Sequence, residues 1–234
     1  MGVRVIISTV LVFSGTEEIS AQSAPRKDSL KFLGREVTIV QPEFDADGFP
    51  KSPDPRAIVC LEGLPRRQCY SSPPEFWRNP LVSMIQVQRD LPALLFSVET
   101  WGASESQIHF VLLRATEGDL EDLFQPDISL SNQSEHAFWT DFSISASPIF
   151  VTADYVWGPD ECHTCAHRYI ISAYALKPSS YTDRLLYYLE DRYMTIHEYG
   201  GGANTDILAS EKQEVMARLK RLNAETELQQ KAHH

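Results

Sequence analysis

From Leu81 onward the chain breaks into short runs rich in Val, Ile, Phe, Tyr and Thr, parted by turn residues about every ten positions. Candidate strands fall at 81–89, 93–101, 107–114, 136–144, 148–157, 167–176, 184–189 and 193–199. Runs this short cannot bury a helical stripe, whereas paired antiparallel strands can bury one face each. The run 148–157 shows the alternation: Ile149, Val151, Ala153, Tyr155 and Trp157 share one face, with Thr152 and Asp154 on the other. The predicted fold class is mainly β: an antiparallel sandwich, a barrel or a propeller-like sheet, with a Pro-rich N-terminal wrap and one C-terminal α-helix.

Two hairpins look related. Pro92 and Pro148 are each followed nine residues later by a Trp-Gly pair, Trp101-Gly102 and Trp157-Gly158, and then by a returning strand. Repeated hairpins build propellers and stacked sheets. Against an exact repeat, the buried parity differs: even positions Leu94, Phe96 and Val98 in the first unit, odd positions in the second.

The flanks differ in texture. Residues 24–35 are polar and basic, which predicts a flexible lead-in, and Glu36–Val40 reads as a short strand. Residues 42–80 hold eight of the fourteen prolines. Proline removes a ladder donor, so this stretch predicts an irregular wrap with one short strand at 57–61. After Gly200-Gly201-Gly202 comes the helical part of the chain, 203–234. Val215, Leu219 and Leu222 recur at helical spacing, and Ser210 with Gln213 forms a capping box that predicts a helix over 211–229 packed on its own sheet.

The first residues read as a signal peptide over 1–23. Arg4 precedes the apolar run Val5–Phe13, and Ala21 and Ser23 are small residues at a cleavage position. The β-rich domain then spans 24–202, and the expected location is periplasmic or secreted. Four cysteines in two close pairs suit an oxidising compartment, and disulfides Cys60–Cys69 and Cys162–Cys165 are the expected pairing. Lys plus Arg is 21 against 32 Asp plus Glu, a net charge of -11. Such a balance opposes nucleic-acid binding, which needs a basic footprint. No transmembrane segment is expected after signal cleavage, because no other run approaches membrane length.

The segment Asp160-Glu161-Cys162-His163-Thr164-Cys165-Ala166-His167 is the most chemical in the chain. A disulfide clip is its expected use. A zinc site would draw on Cys162, Cys165 and His167, three of the four tetrahedral ligands that zinc takes. A redox CxxC normally opens a helix, and here a strand follows. Asp45-Ala46-Asp47-Gly48 resembles the start of a calcium loop, but Arg56 stands where the twelfth-position glutamate would be. Glu117, Asp119, Glu121 and Asp122 could hide a glycosidase pair, since only separation in space identifies one. Trp77, Trp101, Trp139 and Trp157, with Tyr187, Tyr188 and Tyr193, could line a carbohydrate or peptide groove, although most such rings in β proteins are core. Signature motifs of hydrolases, zincins and nucleotide-binding enzymes do not occur. The functional expectation is therefore a non-catalytic exported protein with a protein or carbohydrate partner and no cofactor. The alternatives are a zinc-binding protein using the Cys162–His167 loop, and a hydrolase whose carboxylate pair is invisible in sequence.

Overall fold

The computed structural model describes residues 26–63, 65–100, 107–124, 128–131, 135–140, 148–156, 158–159, 166–177, 180–194 and 207–232. The expected signal segment lies outside them. Among the described residues the protein is mainly β, with three antiparallel sheets and a single C-terminal helix. The first sheet runs β1 (Arg26–Phe32), β2 (Arg35–Val40), β3 (Ile58–Leu61) and β4 (Gln68–Ser71) in sequence order. The central sheet runs β5 (Phe76–Gln88), β6 (Leu91–Thr100), β7 (Gln107–Ala115) and β8 (Leu120–Asp122), with β9 (Ile128–Ser131) also paired to β7. The third runs β10 (Glu135–Trp139), β11 (Ile149–Val156), β12 (Ala166–Lys177) and β13 (Ser180–Met194). Helix α1 (Ile207–Ala232) follows. Among the described residues no sheet closes on itself, so the sandwich form of the prediction holds and the barrel form does not.

Burial explains why the sheets stack. Leu94, Phe96 and Val98 of β6 and Val111 and Leu113 of β7 join Phe32, Val37, Val59 and Leu61 of the first sheet in one apolar layer. On the opposite face Ala93, Leu95, Phe110 and Leu112 meet Phe150 and Leu176 of the third sheet. The other face of that sheet, with Ile149, Val151, Ala153, Tyr169, Ile171 and Ala173, packs on Ile207, Leu208, Val215 and Leu219 of α1. The order of layers is sheet, sheet, sheet, helix. The parity conflict between the two hairpins dissolves here. Ala93 to Phe96 are all buried, as are Ile149 to Ala153, because both faces of these strands are covered. A strand buried on both sides need not alternate. Both hairpins, β6–β7 and β11–β12, form the two central strands of their sheets.

Several sequence expectations are corrected. The lead-in at 24–35 is largely strand: β1 pairs with β2 through a two-residue hairpin, Leu33-Gly34. Both residues have positive φ, 53° and 76°, as a primed hairpin turn requires. The Pro-rich stretch is more regular than expected, since β4 lies within it and β5 starts at Phe76. Asn79, at φ 46°, and Pro80 sit in β5 beside a register shift at an edge, where proline is tolerated. The run 184–189 and the first two residues of 193–199 belong to one strand, because β13 is continuous through Met194, and 195–199 lie outside the described residues. The helix starts at Ile207, four residues before the expected 211, so Ser210 lies inside it rather than capping it. Glu135 supplies the cap instead, accepting the Ile207 and Leu208 amides at 3.0 Å each.

Candidate functional site

The most organised polar site among the described residues surrounds the loop between β3 and β4. Cys60 and Cys69 stand directly opposite in the ladder and are joined by a disulfide, with Cα atoms 4.1 Å apart. Antiparallel pairs that are not hydrogen-bonded to each other come this close, so the bond links strands already adjacent. The loop it closes is fastened from β2. Arg35 sends Nε to the Glu62 carbonyl at 3.0 Å, Nη1 to Gln68 Oε1 at 2.7 Å and Nη2 to the Leu61 carbonyl at 2.8 Å. Nη2 also reaches the Arg66 carbonyl. One planar guanidinium with five donors can hold this many acceptors, which a lysine could not.

The loop is tied to the next sheet as well. Gln68 Nε2 donates to the Thr116 carbonyl at 2.8 Å, and Arg66 donates to the Gly118 carbonyl. Thr38 Oγ1 donates to Glu62 Oε1 at 2.7 Å, and Arg67 Nε reaches the same oxygen at 3.0 Å. The Thr38 hydroxyl, with the nearby Arg67 and Arg35 charges, holds the Glu62 carboxyl below its usual pKa against the opposing effect of burial. Pro65, Arg66 and Arg67 remain exposed on this fixed backbone. The sequence offers little to foretell the clasp, because Arg35 closes the basic stretch that reads as a lead-in.

The other candidates separate. Cys162 and Cys165 lie outside the described residues. His167 lies near the start of β12 and is fully buried, 0% exposed, with Tyr193 opposite it in the backbone register. Among the described residues no three His, Cys, Asp or Glu side chains gather as metal ligands would. Asp45 uses its carboxylate on its own turn, accepting the Asp47 amide at 3.0 Å and the Phe49 amide at 2.8 Å. Three of the four acidic residues of the stretch after β7 are similarly occupied. Asp119 Oδ1 accepts the Leu120 amide, Asp122 Oδ1 accepts the Leu112 and Phe124 amides, and Glu121 pairs with Arg114.

Two of the four tryptophans are core. Trp77 is buried with its ring 5.4 Å from Phe44, and Trp139 is buried under Lys212, whose Nζ lies 5.6 Å from the ring centroid. Trp101 and Trp157 lie outside the described residues. Tyr187, Tyr188 and Tyr193 fall on β13, opposite Ile171, Ile170 and His167 in the register. His136 on β10 stacks 4.4 Å from Phe110. The residue keeps some contact with solvent, while the protein packed around it lowers its pKa by desolvation.

Comparison with known proteins adds no relative at this site: no family model, curated protein or solved structure matches the chain.

Proposed function

We propose that the chain is an exported, non-catalytic protein, periplasmic or secreted, that acts by binding a protein or carbohydrate partner at its surface or by a structural role in that space. The observation that carries this reading is the disulfide-closed loop at Cys60–Cys69, pinned by Arg35. Disulfides persist where the surroundings oxidise them. A loop held on both flanks, at Leu61, Glu62 and Arg66, loses less entropy when it meets a partner, and Pro65, Arg66 and Arg67 are the side chains it offers. Three of the four carboxylates after β7 support the non-catalytic half of the reading, since Asp119 and Asp122 are engaged by backbone amides and Glu121 by Arg114.

The test is intact mass spectrometry of the chain exported by its own host, native and denatured, with thiol alkylation before and after reduction. The expected mature chain begins at Ala24, carries no metal and takes up alkylating agent only after reduction. Cytoplasmic retention with reactive Cys60 and Cys69 thiols overturns export. A bound zinc ion overturns the metal-free reading and moves attention to Cys162, Cys165 and His167. Hydrolysis of a glycoside panel by the same preparation overturns the non-catalytic reading.

A further inference from the structure

We propose that the Cys60–Cys69 bond is an exchangeable couple, entered at Cys69 by a small thiol of the glutathione class, and that the fold outlasts its opening. The proposal holds whether or not the loop meets a partner.

A disulfide between distant segments is needed to keep them together, but this one joins residues that the ladder already sets side by side. β3 and β4 pair as Ile58↔Ser71, Val59↔Tyr70, Cys60↔Cys69 and Leu61↔Gln68. On its other edge β3 pairs with β2, where Cys60 stands opposite Thr38. Val59 and Leu61 are fully buried in the layer between the first two sheets, with Tyr70 packed against it. The connecting loop has fastenings of its own. Arg35 holds the Leu61 and Glu62 carbonyls on one flank and Gln68 on the other, and Gln68 reaches on to the Thr116 carbonyl. None of these contacts uses a sulfur. The two cysteines are nine positions apart, so the bond closes only a short loop and restricts the unfolded chain correspondingly little.

The two sulfurs differ in access. Cys60 is 1% exposed, whereas Cys69 is half-buried on β4, the terminal strand of the first sheet. Exchange begins when a thiolate reaches one sulfur of the bond from outside, so the accessible residue takes the attack and the buried one leaves. The incoming thiolate bonds to Cys69 Sγ. The Sγ–Sγ bond breaks, its electron pair goes to Cys60 Sγ, and that sulfur takes up a proton. A second thiolate then attacks the small thiol's sulfur, departs with it as a small disulfide and leaves Cys69 as a thiol. Two small thiols are oxidised for one protein disulfide reduced. The ladder keeps Cys60 opposite Cys69 throughout, so an oxidised small disulfide drives the same steps backward and the bond re-forms.

The test is C60A and C69A in the full chain, each offered oxidised glutathione, with adducts located by peptide mapping so that Cys162 and Cys165 are counted separately. In C60A the Cys69 thiolate should attack the small disulfide, keep one glutathione and release the other. In C69A the shielded Cys60 should react at least about tenfold more slowly. Both variants, and the parent chain in reduced glutathione, should keep their near-ultraviolet circular dichroism, with the midpoint of thermal unfolding lower by roughly 5–10 °C. Oxidised glutathione should then restore the Cys60–Cys69 bond in the parent chain. Loss of the fold in either variant or in the reduced chain overturns the proposal. So does a C60A chain that takes no glutathione, equal labelling of the two variants, or a parent chain whose bond resists reduced glutathione or fails to re-form.

Discussion

Glu135 on β10 accepts the amide of Leu208 at 3.0 Å across 73 residues of sequence, while its second oxygen takes the amide of Ile207. One carboxylate thus satisfies two of the orphan donors at the start of α1 and sits against the positive end of the helix. Glu135→Ala should cost about 1–2 kcal/mol, the range of a lost cap. Glu135→Gln, keeping one acceptor, should cost less. Hydrogen exchange at 207–212 reads the effect directly. Unchanged protection there in the Ala variant would show that packing of Val215 and Leu219 alone holds the helix.

Phe150 is the ring that joins the central and third sheets. It is fully buried, 4.7 Å from Phe124, 4.9 Å from Phe138 and 6.1 Å from Tyr174. Phe150→Ala removes it from an interface that cannot collapse without moving a sheet, and should destabilise the chain by about 3–5 kcal/mol. Denaturant unfolding measures this. A loss under about 1 kcal/mol would mean that the two sheets are not packed through this residue.

Leu33 holds φ 53° at a hairpin position where asparagine or glycine is at ease, and its side chain is exposed. Leu33→Asn should stabilise the protein by roughly 0.5–1 kcal/mol. The midpoint of thermal unfolding should rise, with no change in near-ultraviolet circular dichroism.

Glu62 titrates below the usual carboxylate range because Thr38 donates to it and Arg67 and Arg35 lie close. A depressed acid stabilises the fold at pH values above its unfolded pKa, and that contribution fades as pH falls through the folded value. Stability should therefore decline as pH drops below about 4.3, and Glu62→Gln should flatten that part of the curve. An equally steep fall in the variant would place the acid sensitivity elsewhere.

His136 runs the other way. Burial lowers its pKa, so the unfolded chain takes up the proton first. Stability should fall as pH drops below about 6.5, the unfolded value, and level off once the folded ring is also charged. His136→Asn should remove part of that fall, measured by thermal unfolding at a series of pH values.

Where strands are apolar and sequential, their spans were readable. The run 107–114 lies within β7, and 93–101 overlaps β6 almost entirely, because β-branched and aromatic residues mark half-buried backbone. β1 was hidden because RKDSLKF carries four charges in seven residues, and its strand state depends on pairing with β2 rather than on propensity. The start of α1 was hidden for a related reason: its cap comes from Glu135, far away in sequence, and only a local cap leaves a local signature. The Arg35 clasp is likewise a product of tertiary placement, since nothing in residue spacing marks which arginine will meet four acceptors. Trp77 and Trp139, which composition alone allows in a binding groove, are rings of the core.

Over its two central strands, β6 and β7, the central sheet has no face of its own for water. Each sheet is assembled from consecutive strands, so as the chain lengthens from its N-terminus the first two sheets can join while Leu95, Phe110 and Leu112 still await Phe150. Any chain ended before β11 leaves that layer without Phe150 and Leu176. Premature termination or slow synthesis between 124 and 149 therefore yields the species most prone to aggregate, and a helper that shields apolar surface would be needed at that moment rather than earlier or later.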